Sequence, residues 1–182
     1  AGSIPNTLPE DIYEKILASL ESKGIRVVVD ATKDLLLNVL KYHPFLIKPN
    51  NHELGEMFGT VCKTDEDIVH YAKKLQEKGA VNVLISMAGD GAILITEDGQ
   101  NIKMGTPKGK VVNSVGAGDS MVAGFITGYI RGGNYEEALK SGTAAGSATA
   151  FSEGLASLEM YEKMLKHRVR SEERFSRNAE TD

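Results

Sequence analysis

Asn113-Ser-Val-Gly-Ala-Gly-Asp-Ser120, followed at once by the apolar run Met121-Val-Ala-Gly-Phe-Ile-Thr-Gly-Tyr-Ile130, is the stretch on which the reading of this chain turns. Consecutive small residues ending in a carboxylate at the mouth of a helix make a pocket of backbone N–H donors with one acidic side chain aimed into it. A helix N-terminus carries N–H groups without carbonyl partners and the positive end of the helix dipole. Both favour a phosphate or a developing oxyanion, and glycines let the backbone approach it closely. Asp119 is then a carboxylate placed to accept a proton. The plainer alternative is a tight strand-to-helix turn in which Gly116 and Gly118 only permit positive φ. The stretch has neither the lysine of a G-x-x-x-x-G-K-[ST] loop nor the third glycine of a G-x-G-x-x-G fingerprint, so two common nucleotide motifs are excluded.

What these residues resemble is the C-terminal signature D-T-x-G-A-G-D of the ribokinase-like (pfkB) sugar kinases. The resemblance implies that Gly116, Ala117 and Gly118 form the anion hole for the transferred phosphoryl group, with Ser114 on the nucleotide side. It makes Asp119 the base that takes the proton from the sugar hydroxyl. Asn113 stands where that pattern has Asp. With Asp119 retained this reads as a branch feature, and no extra cation is inferred there.

Two further segments match the same family in order and spacing. Phe45-Leu-Ile-Lys-Pro-Asn50 and Asn51-His-Glu-Leu54 read as a short buried strand stopped by Pro49 and then a helix start, similar to the family's K-P-N-x-x-E element. A lysine at a strand end can neutralise nucleotide phosphate. An amide and a carboxylate at the spacing of Asn50 and Glu53 can organise Mg²⁺ and its waters. Taken alone, Asn50 and Glu53 are a helix cap with Glu at N3, a capping box. Val83-Leu-Ile-Ser-Met-Ala-Gly-Asp-Gly-Ala-Ile-Leu-Ile-Thr96 is by itself a hairpin or strand connection around Asp-Gly. It also resembles the family's nucleotide-side S-x-G-x-x-G element, with Ser86, Gly89 and Gly91 in register and Ala88 where many members have glycine.

Ala144 to Gly154 is a small-residue helix, read either as close helix packing or, by resemblance, as lining the adenine and ribose pocket near Gly146. Gly2-Ser-Ile-Pro5 resembles the strand end that touches the sugar in the phosphofructokinase branch, which puts Gly2 and Ser3 on the substrate side with Asp119. The strands that form a lid over the sugar precede this element in the family, so the chain reads as the C-terminal part of that fold, without its N-terminal part and lid.

Around these motifs helices and strands alternate. Helices are expected over Thr7 to Lys23, Lys33 to Tyr42 and Thr64 to Lys78, the first stopped by Gly24 and the last by Gly79. Strands are expected over Arg26 to Asp30, Leu46 to Lys48, Val81 to Ser86, Ala92 to Thr96, Gln100 to Met104 and Lys110 to Asn113. The pattern predicts an α/β fold: a doubly wound, mostly parallel sheet with helices on both faces and ligands at the carboxyl ends of the strands. Lys48, Asn50, Ser86 and the 116–119 turn all fall at such ends and are expected to converge on one crevice.

Composition fits a compact core. With 182 residues, 41% of them hydrophobic, residues 1–165 suit one domain. Lys166 to Asp182, rich in Arg and Glu, reads as a solvated charged tail. The single cysteine, Cys62, excludes an internal disulfide framework, and a cytoplasmic location is expected. The histidines His43, His52, His70 and His167 lack metal-ligand spacing. No membrane span is expected, and a net charge of −4 argues against non-specific nucleic-acid binding. The expected activity is ATP- and Mg²⁺-dependent phosphorylation of a sugar phosphate by a homodimer. The acceptor implied is fructose 1-phosphate, giving fructose 1,6-bisphosphate; tagatose 6-phosphate is the alternative acceptor, and nucleotide binding without turnover is the non-enzymatic one.

Overall fold

The computed structural model describes residues 2–166. Two compact units divide the chain after Ser86. The first contains α1 (Ile12–Leu20), β1 (Val28–Val29), α2 (Lys33–Val39) with a 3-10 turn behind it, β2 (Leu46–Ile47), α3 (Asn51–Met57), α4 (Asp65–Glu77) and β3 (Asn82–Ser86). Its strands are all parallel: Val28 lies opposite Leu46, Val29 opposite Ile47, and these two opposite Asn82 and Val83. Parallel neighbours need crossover connections, which α2 and the α3–α4 pair supply. Leu46, Ile47, Val83, Leu84 and Ile85 are successive strand residues with no exposure, so both faces of these strands are covered, as the apolar runs predict.

Helix boundaries follow local chemistry. Thr64 caps α4 in a capping box with Asp67, and Gly79 ends it at φ +127. A side chain at Gly79 would meet the Leu40 carbonyl. The first helix is shorter than its sequence pattern suggests. It begins at Ile12 rather than near Thr7, because the carbonyls of Pro5 and Pro9 accept the N–H groups of Leu8 and Ile12 in successive three-residue turns.

The second unit opens with an antiparallel hairpin of β4 (Ala92–Ile95) and β5 (Asn101–Met104), Ala92 opposite Met104 and Ile95 opposite Asn101. Thr96 closes the turn, its hydroxyl accepting the Gln100 N–H at 3.0 Å, with Gly99 at φ +81. Three helices follow: α5 (Ala117–Gly132), α6 (Tyr135–Ala150) and α7 (Leu158–Lys166). The first two pack at very close range. A Cβ on Gly124 or Gly128 would lie 2.6 Å from Ala145 or Ser141, and Gly142 and Gly146 meet Met121 and the Ala117 carbonyl. The small-residue run of α6 therefore serves helix packing.

Two sequence expectations change in this unit. Lys110 to Asn113 is not a strand: the N–H groups of Val112 and Asn113 both point to the Ala150 carbonyl, and Val111 and Val112 stay exposed. A pair of β-branched residues makes a strand only where a ladder partner exists. Lys166, taken as the start of the tail, is the last residue of α7. The remainder of that tail, with His167, lies outside the described residues.

Candidate active site

In the first unit, the predicted nucleotide-side residues gather at the carboxyl ends of adjacent parallel strands. Asn50, beyond β2, and Ser86, the last residue of β3, form a parallel bridge, with the Ser86 N–H donating to the Pro49 carbonyl at 3.2 Å. Lys48 is buried, and its Nζ lies 3.3 Å from Asp30 Oδ1. Asn50 is the N-cap of α3: its Oδ1 accepts the Glu53 N–H at 2.8 Å, while Glu53 Oε2 accepts the Asn50 N–H at 2.8 Å. The capping box is thus formed, and each side chain keeps one further polar atom for other work. Among the described residues no three His, Cys, Asp or Glu side chains gather as a metal cage. An amide and one carboxylate suit a hydrated Mg²⁺ held through its waters, not an ion stripped of them. His52 faces solvent.

Gly2, assigned to the substrate side, is pinned at both ends. Its N–H donates to the Asp30 carbonyl at 2.8 Å, and its own carbonyl accepts the Tyr13 hydroxyl at 3.0 Å. Ser3 next to it is exposed. Asp30 is the residue that the sequence reading missed. The signal was present, since Val27-Val-Val-Asp30 ends a strand in a charge as Leu46-Ile-Lys48 does.

The second unit holds the helix mouth. Gly116 caps α5 at φ +78, so Ala117, Gly118 and Asp119 form its first turn, and Asp119 is exposed there. A helix start leaves the N–H groups of Gly118 and Asp119 without intrahelical carbonyls. The Ala117 N–H is engaged by the Ser114 carbonyl at 3.2 Å, which lessens its part in the expected anion hole. Ser114 itself is exposed and sits in the turn that leads to the cap.

Side-chain hydrogen bonds hold this turn on two sides. Asn113 accepts the Val115 N–H at 3.0 Å and donates to the Glu153 carbonyl at 3.0 Å. On the helix side, Thr149 donates to Ser120 Oγ at 2.8 Å and itself accepts the Ala156 N–H at 3.3 Å. Gly146 packs on the Ala117 carbonyl, which brings α6 against the mouth of α5.

The loop before β4 is shaped by Gly91, at φ +94, where a Cβ would fall 2.0 Å from the Met104 carbonyl. Gly89 has open space around it, and its carbonyl accepts the Thr106 hydroxyl at 2.8 Å. Ala88 takes φ +49, a left-handed conformation that glycine adopts without strain, which explains the glycine of the related pattern.

The chain belongs to the pfkB family of carbohydrate kinases, whose family pattern matches residues 1–160. It is 52% identical over 165 residues to 1-phosphofructokinase of Bacillus subtilis, covering 91% of this chain and 54% of that protein. It is 40% identical over 156 residues to D-tagatose-1-phosphate kinase of Bacillus licheniformis, covering 85% and 51%. Among solved structures, Escherichia coli phosphofructokinase-2 in complex with substrates and products superposes with a TM-score of 0.83 at 27% identity, over 91% of this chain and 54% of that one. The chain therefore spans about half the length of the relatives it matches. The ribokinase-like α/β fold inferred from the motifs is the fold found.

Proposed function

We propose that the protein carrying this chain transfers the γ-phosphoryl group of ATP to a sugar-phosphate hydroxyl, with fructose 1-phosphate as acceptor. The observation that carries the reading is Asp119 in the first turn of a helix capped by left-handed Gly116. Asp119 takes the proton of the attacking hydroxyl while the N–H groups at the helix start, those of Gly116 and Gly118 with Ala117 in a lesser part, stabilise charge on the phosphoryl oxygens. Lys48 neutralises nucleotide phosphate, and the Ser86, Gly89 and Gly91 loop, with Ser114, holds the nucleotide, while Gly146, packed on the Ala117 carbonyl, supports the mouth of α5. Asn50 and Glu53 would hold Mg²⁺ through its waters, and the ion would supply positive charge against the nucleotide phosphates. Gly2 and Ser3 touch the sugar.

Identity to the Bacillus subtilis 1-phosphofructokinase supports fructose 1-phosphate. A tagatose phosphate is the second reading, favoured by the similarity to D-tagatose-1-phosphate kinase. No helix among the described residues is long and apolar enough to cross a membrane. A cytoplasmic homodimer without nucleic-acid partners completes the proposal.

The test is Asp119→Asn in the whole protein. It is expected to lower kcat by roughly 10²- to 10⁴-fold with nucleotide affinity nearly intact. Near-native turnover would remove Asp119 from the mechanism.

A further inference from the structure

We propose that Asp30 is a positioning residue that aims the Lys48 ammonium at the nucleotide phosphates, while its backbone anchors the Gly2 segment beside it. The proposal rests on the reading of Lys48 given above. Register brings the two side chains together. Val29 lies opposite Ile47, so Asp30 and Lys48 are the next cross-strand pair at the carboxyl ends of β1 and β2. The Lys48 N–H donates to the Val29 carbonyl at 3.3 Å, and Nζ reaches Asp30 Oδ1 at the same distance.

Burial gives this pair its consequence. The Lys48 side chain is 8% exposed and that of Asp30 21%. A desolvated ammonium needs a counter-charge, and removing one partner of such a pair leaves the other buried and uncompensated. Lysine is a point charge on a flexible stem with three donors. One donor held by Asp30 fixes the stem, and the other two remain for phosphate oxygens. The peptide carbonyl of the same Asp30 accepts the Gly2 N–H. One residue thus links the lysine assigned to the nucleotide with the segment assigned to the sugar.

The experiment is a double-mutant cycle in the full-length enzyme, reading MgATP affinity by calorimetry and KM for both substrates. Asp30→Asn, which keeps size and removes charge, is expected to weaken MgATP binding by up to about 10²-fold, the scale of one lost hydrogen bond to a charged group. It should raise KM for MgATP more than KM for the sugar phosphate. In a Lys48→Met background the same change is expected to cost nothing further. Equal losses in both backgrounds, or no loss in the native one, would overturn the proposal. Should Asp30→Asn not fold, Asp30→Glu keeps the charge and shifts the ammonium. A raised KM for MgATP with an unchanged Tm supports positioning, and an unchanged KM refutes it. If Lys48→Met alone leaves MgATP affinity intact, the nucleotide role of Lys48 fails and this proposal fails with it. Loss on Lys48→Met without loss on Asp30→Asn defeats only the pairing.

Discussion

At Glu53 one carboxylate is asked to do two things, and the two are separable. Its Oε2 accepts the Asn50 N–H and so closes the cap of α3. Its charge is what a hydrated Mg²⁺ would feel. Glutamine is as good as glutamate in a capping box, because its carbonyl oxygen accepts the same bond. Glu53→Gln should therefore leave Tm nearly unchanged while raising the Mg²⁺ and ATP concentrations needed for half-maximal rate. A titration of rate against Mg²⁺, run beside a melting curve, decides it. A fall in Tm with an unshifted Mg²⁺ dependence would leave Glu53 a capping residue and nothing more.

Among the elements, α4 carries a cap with a pH signature. The backbone N–H of Lys63, then that of Thr64, hold the Asp67 carboxyl below the usual aspartate range. The bonds are 2.9 and 3.0 Å. A carboxyl whose affinity for protons is lower folded than unfolded contributes stability that is fully present above its unfolded pKa. That contribution is lost as pH falls through the folded value. Asp67→Asn keeps an acceptor for the cap but removes the titration. It should flatten part of the acid limb of a Tm-against-pH curve between about pH 5 and pH 2, and leave the neutral plateau lowered only slightly. An acid limb of unchanged slope would mean that Asp67 does not titrate with folding.

For the molecule as a whole, the question is whether these residues suffice for turnover. Before the charged C-terminal stretch the only arginines are Arg26 and Arg131. Arg26 lies over the Phe45 ring at 5.1 Å, and Arg131 is in the last turn of α5. Neither is in a segment assigned to substrate, so neither is placed as a bidentate clamp for the proposed sugar-phosphate acceptor. A polypeptide of residues 1–182 alone is expected to bind nucleotide weakly and to show negligible fructose-1-phosphate-dependent ADP release. A protein of the full length of its relatives should turn over. Robust sugar-phosphate-dependent turnover by the 182-residue polypeptide would show that the acceptor site lies within it.

What the amino-acid sequence determined by itself is what depends on near neighbours in the chain. The capping residues Asn50 and Thr64 with Glu53 and Asp67 three places on, the glycine stop at Gly79, the apolar runs of β2, β3 and β4, and the turn from Gly116 to Asp119 all lie within a few residues of their partners. Helix caps and strand periodicity are local physics, and short windows record them. Tertiary structure decided what depends on residues far apart. Lys110 to Asn113 has strand-like composition, yet its N–H groups found the end of α6 and not a ladder. The small residues of α6 are a packing surface because Gly124 and Gly128 of α5 face them at contact distance. Lys48 could be read as a free cation until parallel register set Asp30 beside it. Pairing across strands is fixed by packing and burial of the whole sheet, and no window of sequence contains both partners.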